Sequence, residues 1–280
     1  MDTSTFQSYI DQDYNRVPLV REMYADLDTP LSVYLKLAKA PYSYLFESVQ
    51  GGEKWGQYSI IGLPCRTVIR ISDHTITVKE NHQIQSEETV DDPLQWIEDY
   101  QAKIRVPEIE GLPRFIGGLV GYFGYETIRY IEPKLAGVTK TDTIGTPDIL
   151  LMLSEEVVIF DNLSNKLYLI VLAASDGYES AQKRLNSLEQ RMHESIDKYP
   201  RAHLSVEISE KDFKSGFTEE GYKQAVKTAK EYIAAGDVMQ VVLSQRLSIP
   251  YAAPPIDLYR ALRSVNPSPY MYYLDLDEFH

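Results

Sequence analysis

Cysteine is nearly missing from this chain of 280 residues: Cys65 is its single thiol. One cysteine excludes an internal disulfide framework and a cysteine-rich zinc site, and it fits a reducing compartment such as the cytoplasm. Basic residues are also scarce, with 28 Lys and Arg against 41 Asp and Glu, a formal net charge of −13 and a pI near 4.9. No basic face is apparent to neutralise phosphates, which argues against nucleic acid or an anionic membrane as partner. A small anionic substrate would need a local basic pocket built against the global field. No run of 18 apolar residues occurs, so no membrane-spanning helix is expected. The opening "MDTSTFQSYIDQDYNR" carries acids and lacks an apolar h-region, so no secretory signal is read there. His74, His82, His193, His203 and His280 show no metal-ligand spacing, and no nucleophile elbow or kinase signature is present. Internal repeats and low-complexity tracts are absent too.

What is present is a folded protein's composition: 44% hydrophobic, 25% charged and 21 tyrosines. "VPLVREMY" reads as a strand, and a helix is expected after Asp28-Thr29-Pro30, since proline suits a first helical turn. "YSYLFESV" and "YSIIG" read as strands joined by the glycine-rich "GGEKWGQ". "TVIRISDHTITVKEN" alternates on both sides of Asp73-His74 and predicts a hairpin. "DPLQWIEDYQAKI" is helical, and "DILLMLSEEVVIFDNLSNKLYLIVLA" gives two or three strands broken by "DNLSN". Tyr178, Ala181, Leu185, Leu188, Met192 and Ile196 recur at helical spacing. Residues 199–218 are polar and unperiodic, the texture of a linker. A fresh helix follows, with Thr218 as N-cap and Gly236 as its stop. The fold class is α+β, with domains expected at 1–210 and 211–280. The second ends within "YYLDLDEFH", read as part of a hairpin, so that domain is expected to be incomplete and the chain truncated.

Three stretches invite a chemical reading. In "AAGDVMQVVLSQRLSIP" a strand would place Met239, Val241, Leu243, Leu247 and Ile249 on a core face. Gln240, Val242, Ser244, Arg246 and Ser248 would share the other, either a solvated surface or a cavity wall. "GGLVGYFGYE" lacks the order of a nucleotide loop and reads as close backbone packing or a bulged strand. "NPSPYMYYLDL" is a turn opening a strand or a rigid pocket wall, with Tyr270 and Met271 offering a flat, polarizable surface. Glu47 and Ser48, closing "LFES", either hold an ammonium group or cap the following turn.

"LFESVQGGEKWGQYSIIG", "FIGGLVGYFGYETIRYIE", "AAGDVMQVVLSQR" and "NPSPYMYYLDL" occur in this order over almost the whole chain. Together they resemble the large subunit of anthranilate synthase, one of the chorismate-utilising enzymes. The resemblance implies an antiparallel-sheet-rich α+β fold. It also implies a reaction in which ammonia, delivered by a glutamine amidotransferase partner, adds to chorismate, and pyruvate leaves to give anthranilate. Magnesium would hold the substrate carboxylate. The family's tryptophan feedback site, carried over by position, falls on Ser48, Pro269, Tyr270 and Met271, with Glu47 and Asn266 as neighbours, on opposite sides of the expected domain boundary. Gln240 matches the position where water-adding sister enzymes carry a lysine base; glutamine there suits an ammonia nucleophile, and Gln240 is expected to line the substrate pocket. The family's magnesium ligands and general acid lie downstream of "NPSPYM", beyond His280, so these 280 residues alone are expected to be inactive. The aminodeoxychorismate synthase large subunit and a non-catalytic tryptophan-binding module are the competing readings.

Overall fold

A computed structural model describes residues 1–48, 57–137, 142, 144–196 and 208–280. Most of the glycine-rich connection at 51–57 and the first half of the linker at 199–218 fall outside the described residues. The contacts divide the chain into two compact units, one of Met1–Tyr199 with Tyr259–His280 and the other of Pro200–Leu258.

The first unit opens with α1 (Thr3–Asp11), whose free amide at Thr5 is capped by the Asp2 carboxylate at 2.8 Å. Strand β1 (Val17–Tyr24) follows, then α2 (Pro30–Val33), which runs on as a π-turn through Ala38. Thr29 and Ser32 close a capping box there, and Pro30 sits in the first turn as expected. Next come β2 (Ser43–Glu47), β3 (Tyr58–Gly62), β4 (Thr67–Ser72), β5 (Thr75–Glu80) and β6 (Gln83–Thr89). Helix α3 (Pro93–Ala102) precedes β7 (Gly118–Phe123) and two short turns of helix, α4 (Ile128–Ile131) and α5 (Pro133–Ala136). The apolar run then gives β8 (Ile149–Ser154), β9 (Glu156–Asp161) and β10 (Lys166–Ala173), and α6 spans Tyr178–Met192.

These strands form two antiparallel sheets. One has the order β6-β5-β4-β8-β7; the other runs β1-β10-β9-β3-β2 and is closed at its edge by a strand from the end of the chain, β13 (Met271–Asp275). Tyr44, Val68, Val120, Leu150 and Met152 interdigitate in one buried cluster that joins strands of the two sheets. On the far side of the five-stranded sheet, Ile69, Ile71, Ile149 and Leu151 meet Ile97 of α3. Helix α6 packs on β10 and β1, burying Ala181, Leu185, Leu188 and Met192. The unit is therefore a helix–sheet–sheet–helix sandwich, an arrangement that buries both faces of each sheet.

The second unit carries β11 (Lys214–Ser215), α7 (Glu219–Ala235) and β12 (Leu247–Ser248), with the two short strands paired. Thr218 caps α7 through Gly221 N–H at 3.1 Å, and Gly236 ends it in the left-handed region at φ 83°. Helix α8 (Pro255–Val265) begins in this unit and ends in the first.

Two expectations change here. The strand read over 239–249 forms only at Leu247–Ser248. Residues 238–245 join no strand ladder among the described residues, and an extended segment without a ladder has nothing to bury its apolar face against. Met239, expected in a core, is 99% exposed, and Val242 is 82% exposed. The final strand pairs with β2 at long range rather than in a local hairpin, which places Tyr259–His280 with the first unit and not with a domain starting at 211.

Candidate functional site

Backbone pairing builds the site. β2 lies between β3 and β13, so Phe46 has Ile60 as cross-strand neighbour on one side and Tyr272 on the other. Side chains alternate along a strand, so this row faces the five-stranded sheet, where β7 presents Gly121 and Tyr122. Between them is an open cavity of about 460 Å³, bordered by Phe46, Tyr58, Ile60, Tyr122, Tyr270 and Tyr272, with Glu47, Ser48, Gly121, Met271 and Leu274 completing it. Its walls are dominated by aromatic rings. Tyr122 is fixed by donating its hydroxyl to Pro147 O at 2.7 Å, and Tyr58 accepts from Gln57 Nε2 at 2.8 Å. At the cavity wall, Gly121 lets β7 lie close against β8 because it has no side chain: a Cβ there would lie 1.9 Å from the Leu150 carbonyl oxygen.

Polar groups gather at one end. Ser48 Oγ donates to Pro269 O at 3.0 Å, closing the turn of "NPSP" against the end of β2. Glu47 pairs across the ladder with Met271 and is almost fully buried. Its carboxylate is held by two groups of α8: the Tyr259 hydroxyl donates to Oε2 at 2.6 Å, and Arg263 Nη2 lies 3.2 Å from Oε1. Burial, followed by that hydrogen bond and the negative charge of Glu47, pushes the Tyr259 phenol above its ordinary value. Around this anion, Tyr273 packs its ring against Tyr259 at 5.9 Å and against Tyr34 at 5.7 Å.

The structure thus brings together Glu47, Ser48, Pro269, Tyr270 and Met271 within one compact unit. They do not lie on opposite sides of a domain boundary, because β13 completes the same sheet that contains β2. Asn266 stands at the end of α8, donating its backbone N–H to Leu262 O at 2.9 Å, and does not border the cavity. Gln240 is exposed in the second unit. Tyr259 and Arg263 were not anticipated, although "PPIDLYRALRSV" carried a signal: proline at the first helical position, Asp257 in the first turn, and apolar residues three and four apart. Among the described residues no group of three or more His, Cys, Asp or Glu is placed to hold a metal ion. The described residues therefore offer no ready-made cage of three or more such ligands for magnesium.

The profile of the chorismate binding enzyme family matches residues 43–280. The chain belongs to this family. Among curated relatives of this chorismate-binding family member, anthranilate synthase component 1 of Pseudomonas aeruginosa is 52% identical over 286 residues, covering 100% of the chain and 58% of that protein. Component 1 of Neisseria meningitidis serogroup B is 49% identical, covering 98% of the chain and 56% of the relative. The chain thus spans a little over half the length of the curated relatives it matches. In structure it is similar to anthranilate synthase component I from Streptococcus pneumoniae, with a TM-score of 0.61 and 27% identity over 88% of this chain and 53% of that one. The match confirms the antiparallel-sheet-rich α+β reading. The menaquinone-specific isochorismate synthase of Escherichia coli shares the fold, with a TM-score of 0.51 at 14% identity.

Proposed function

We propose that this chain is part of the large subunit of an anthranilate synthase, which converts chorismate and ammonia to anthranilate and pyruvate. Ammonia would come from glutamine through an amidotransferase partner in the cytoplasm. The observation that carries the reading is sequence identity of about half, sustained along the whole chain, to proteins named anthranilate synthase component 1. The resemblance matches Gln240 to a position where water-adding sister enzymes carry a lysine base: an amide has no basic form at neutral pH and cannot deprotonate water, whereas ammonia is already a nucleophile. The role of Gln240 is that of a substrate-pocket residue, not a proton carrier. In such an enzyme magnesium would hold the chorismate carboxylate.

The cavity beside β2 and β13 is the tryptophan feedback site in this reading. Its aromatic walls suit an indole ring, and the Ser48 hydroxyl and the Pro269 carbonyl offer polar partners to an amino acid's charged groups. Glu47 contributes through its place at the end of β2, its carboxylate being engaged by Tyr259 and Arg263. Cells in which the gene is disrupted are expected to require tryptophan or anthranilate for growth, and growth without either would overturn the assignment. The purified 280-residue chain should form no fluorescent anthranilate from chorismate and ammonium; chorismate-dependent fluorescence would refute its expected inactivity.

A further inference from the structure

Neighbouring residues at the end of β2, Glu47 in the strand and Ser48 just past it, carry the two halves of a device. Ser48, at the cavity, holds the Pro269 carbonyl, so occupancy of the cavity bears directly on the junction between β2 and the turn into β13. Glu47, one residue earlier, has a side chain only 2% exposed and is tied to α8 by Tyr259 and Arg263. A buried carboxylate cannot part from its partners without a large desolvation penalty. When the end of β2 shifts, the two α8 side chains must therefore follow the anion. They lie four residues apart, on one face of the helix, so the constraint falls on the helix as a body. α8 is continuous from Pro255 to Val265, and its first turn, Pro255–Leu258, is grouped by contacts with the second unit.

We propose that Glu47, Tyr259 and Arg263 form a relay that converts occupancy of the aromatic cavity into a change in α8, with Tyr259 and Arg263 as positioning residues that do not touch the bound amino acid. The inference rests on the reading of that cavity as an amino-acid effector site. It assigns Glu47 a mechanical role in place of ammonium binding. It also makes α8, and not a ligand bridging two domains, the element through which the signal leaves the cavity.

The test is amide hydrogen exchange of the purified chain with and without L-tryptophan, run beside calorimetric titration of the same samples. In the wild-type chain tryptophan should bind and change the exchange of the α8 amides by several-fold. In Tyr259→Phe and in Arg263→Met, binding should persist within about threefold while α8 exchange no longer responds; Arg263→Lys, which keeps a charge for Glu47, should restore part of the response. Binding without any change at α8 in the wild-type chain overturns the relay and leaves the effector reading standing. A response that survives in both variants overturns it as well. No binding to the wild-type chain overturns the effector reading and the relay together. The wild-type comparison decides the matter even if a variant fails to fold.

Discussion

A methyl group added at Gly121 would stand 1.9 Å from the backbone oxygen of Leu150, closer than any strand pair tolerates. Gly121→Ala must therefore push β7 away from β8, and overpacking of this kind costs about 2–3 kcal/mol. Urea unfolding should show a lower midpoint at unchanged slope; a midpoint equal to that of the wild-type chain would contradict the close approach. Ser48 illustrates a smaller effect at the same cavity. Ser48→Ala removes the hydrogen bond to Pro269 O, worth about 1 kcal/mol. Urea unfolding of Ser48→Ala should show a stability lower by about that amount. An unchanged stability would show that the turn is held without the hydroxyl.

Helix α7 is the element whose ends were most legible in sequence, and the reason is local: a threonine cap and a left-handed glycine need no tertiary partner to be recognised. Thr218→Ala should cost about 1 kcal/mol and speed exchange of the Gly221 amide, which donates to the threonine hydroxyl; exchange at the wild-type rate would rule the cap unimportant. The hairpin about Asp73-His74 was legible for the same reason, since its alternating residues pair in the register Ser72↔Thr75 through Thr67↔Glu80. Legibility failed where neighbours decide. β6, "QIQSEET", is exposed throughout and shows no apolar alternation, so only its ladder with β5 reveals it as a strand. Residues 238–245 fail in the opposite sense: their pattern suits a strand, but they join no strand ladder among the described residues. At the site, the motifs "LFES" and "NPSPYM" were recognised from the resemblance. That Glu47 turns away to hold Tyr259 and Arg263 follows from the β2–β13 register and was not visible in the order of residues.

For the molecule as a whole, two weak acids withdrawn from water, Tyr44 fully and Cys65 in part, set the response to alkali. Burial pushes the Cys65 thiol from 9.0 up to about 12, and burial likewise raises the Tyr44 phenol, whose hydroxyl is 2.9 Å from Ser154 Oγ between the sheets. Both groups are neutral when folded and ionise at lower pH when unfolded. Their contribution is therefore complete below about pH 9 and declines as pH rises toward 12, by about 1.4 kcal/mol per pH unit for each group that ionises only in the unfolded chain. Stability from denaturant titrations should be level with respect to these groups between pH 7 and 8.5 and fall between pH 9.5 and 11. A rise over that interval would contradict the burial of Tyr44 and the partial burial of Cys65.

The edge position of β13 has a consequence for the order in which the protein can be made. Ser48 and Pro269 are 221 residues apart, so at about 5–20 residues per second a ribosome needs roughly 10–45 s between the strand and the partner that closes it. Throughout that interval β2 ends the sheet with an open row of backbone donors and acceptors, a template for pairing with other chains. The first unit cannot finish its sheet by folding as it emerges: it must wait while the intervening unit is synthesised. Translation speed through residues 200–258, and any chaperone that shields β2 meanwhile, thereby govern how much of the protein reaches its native state.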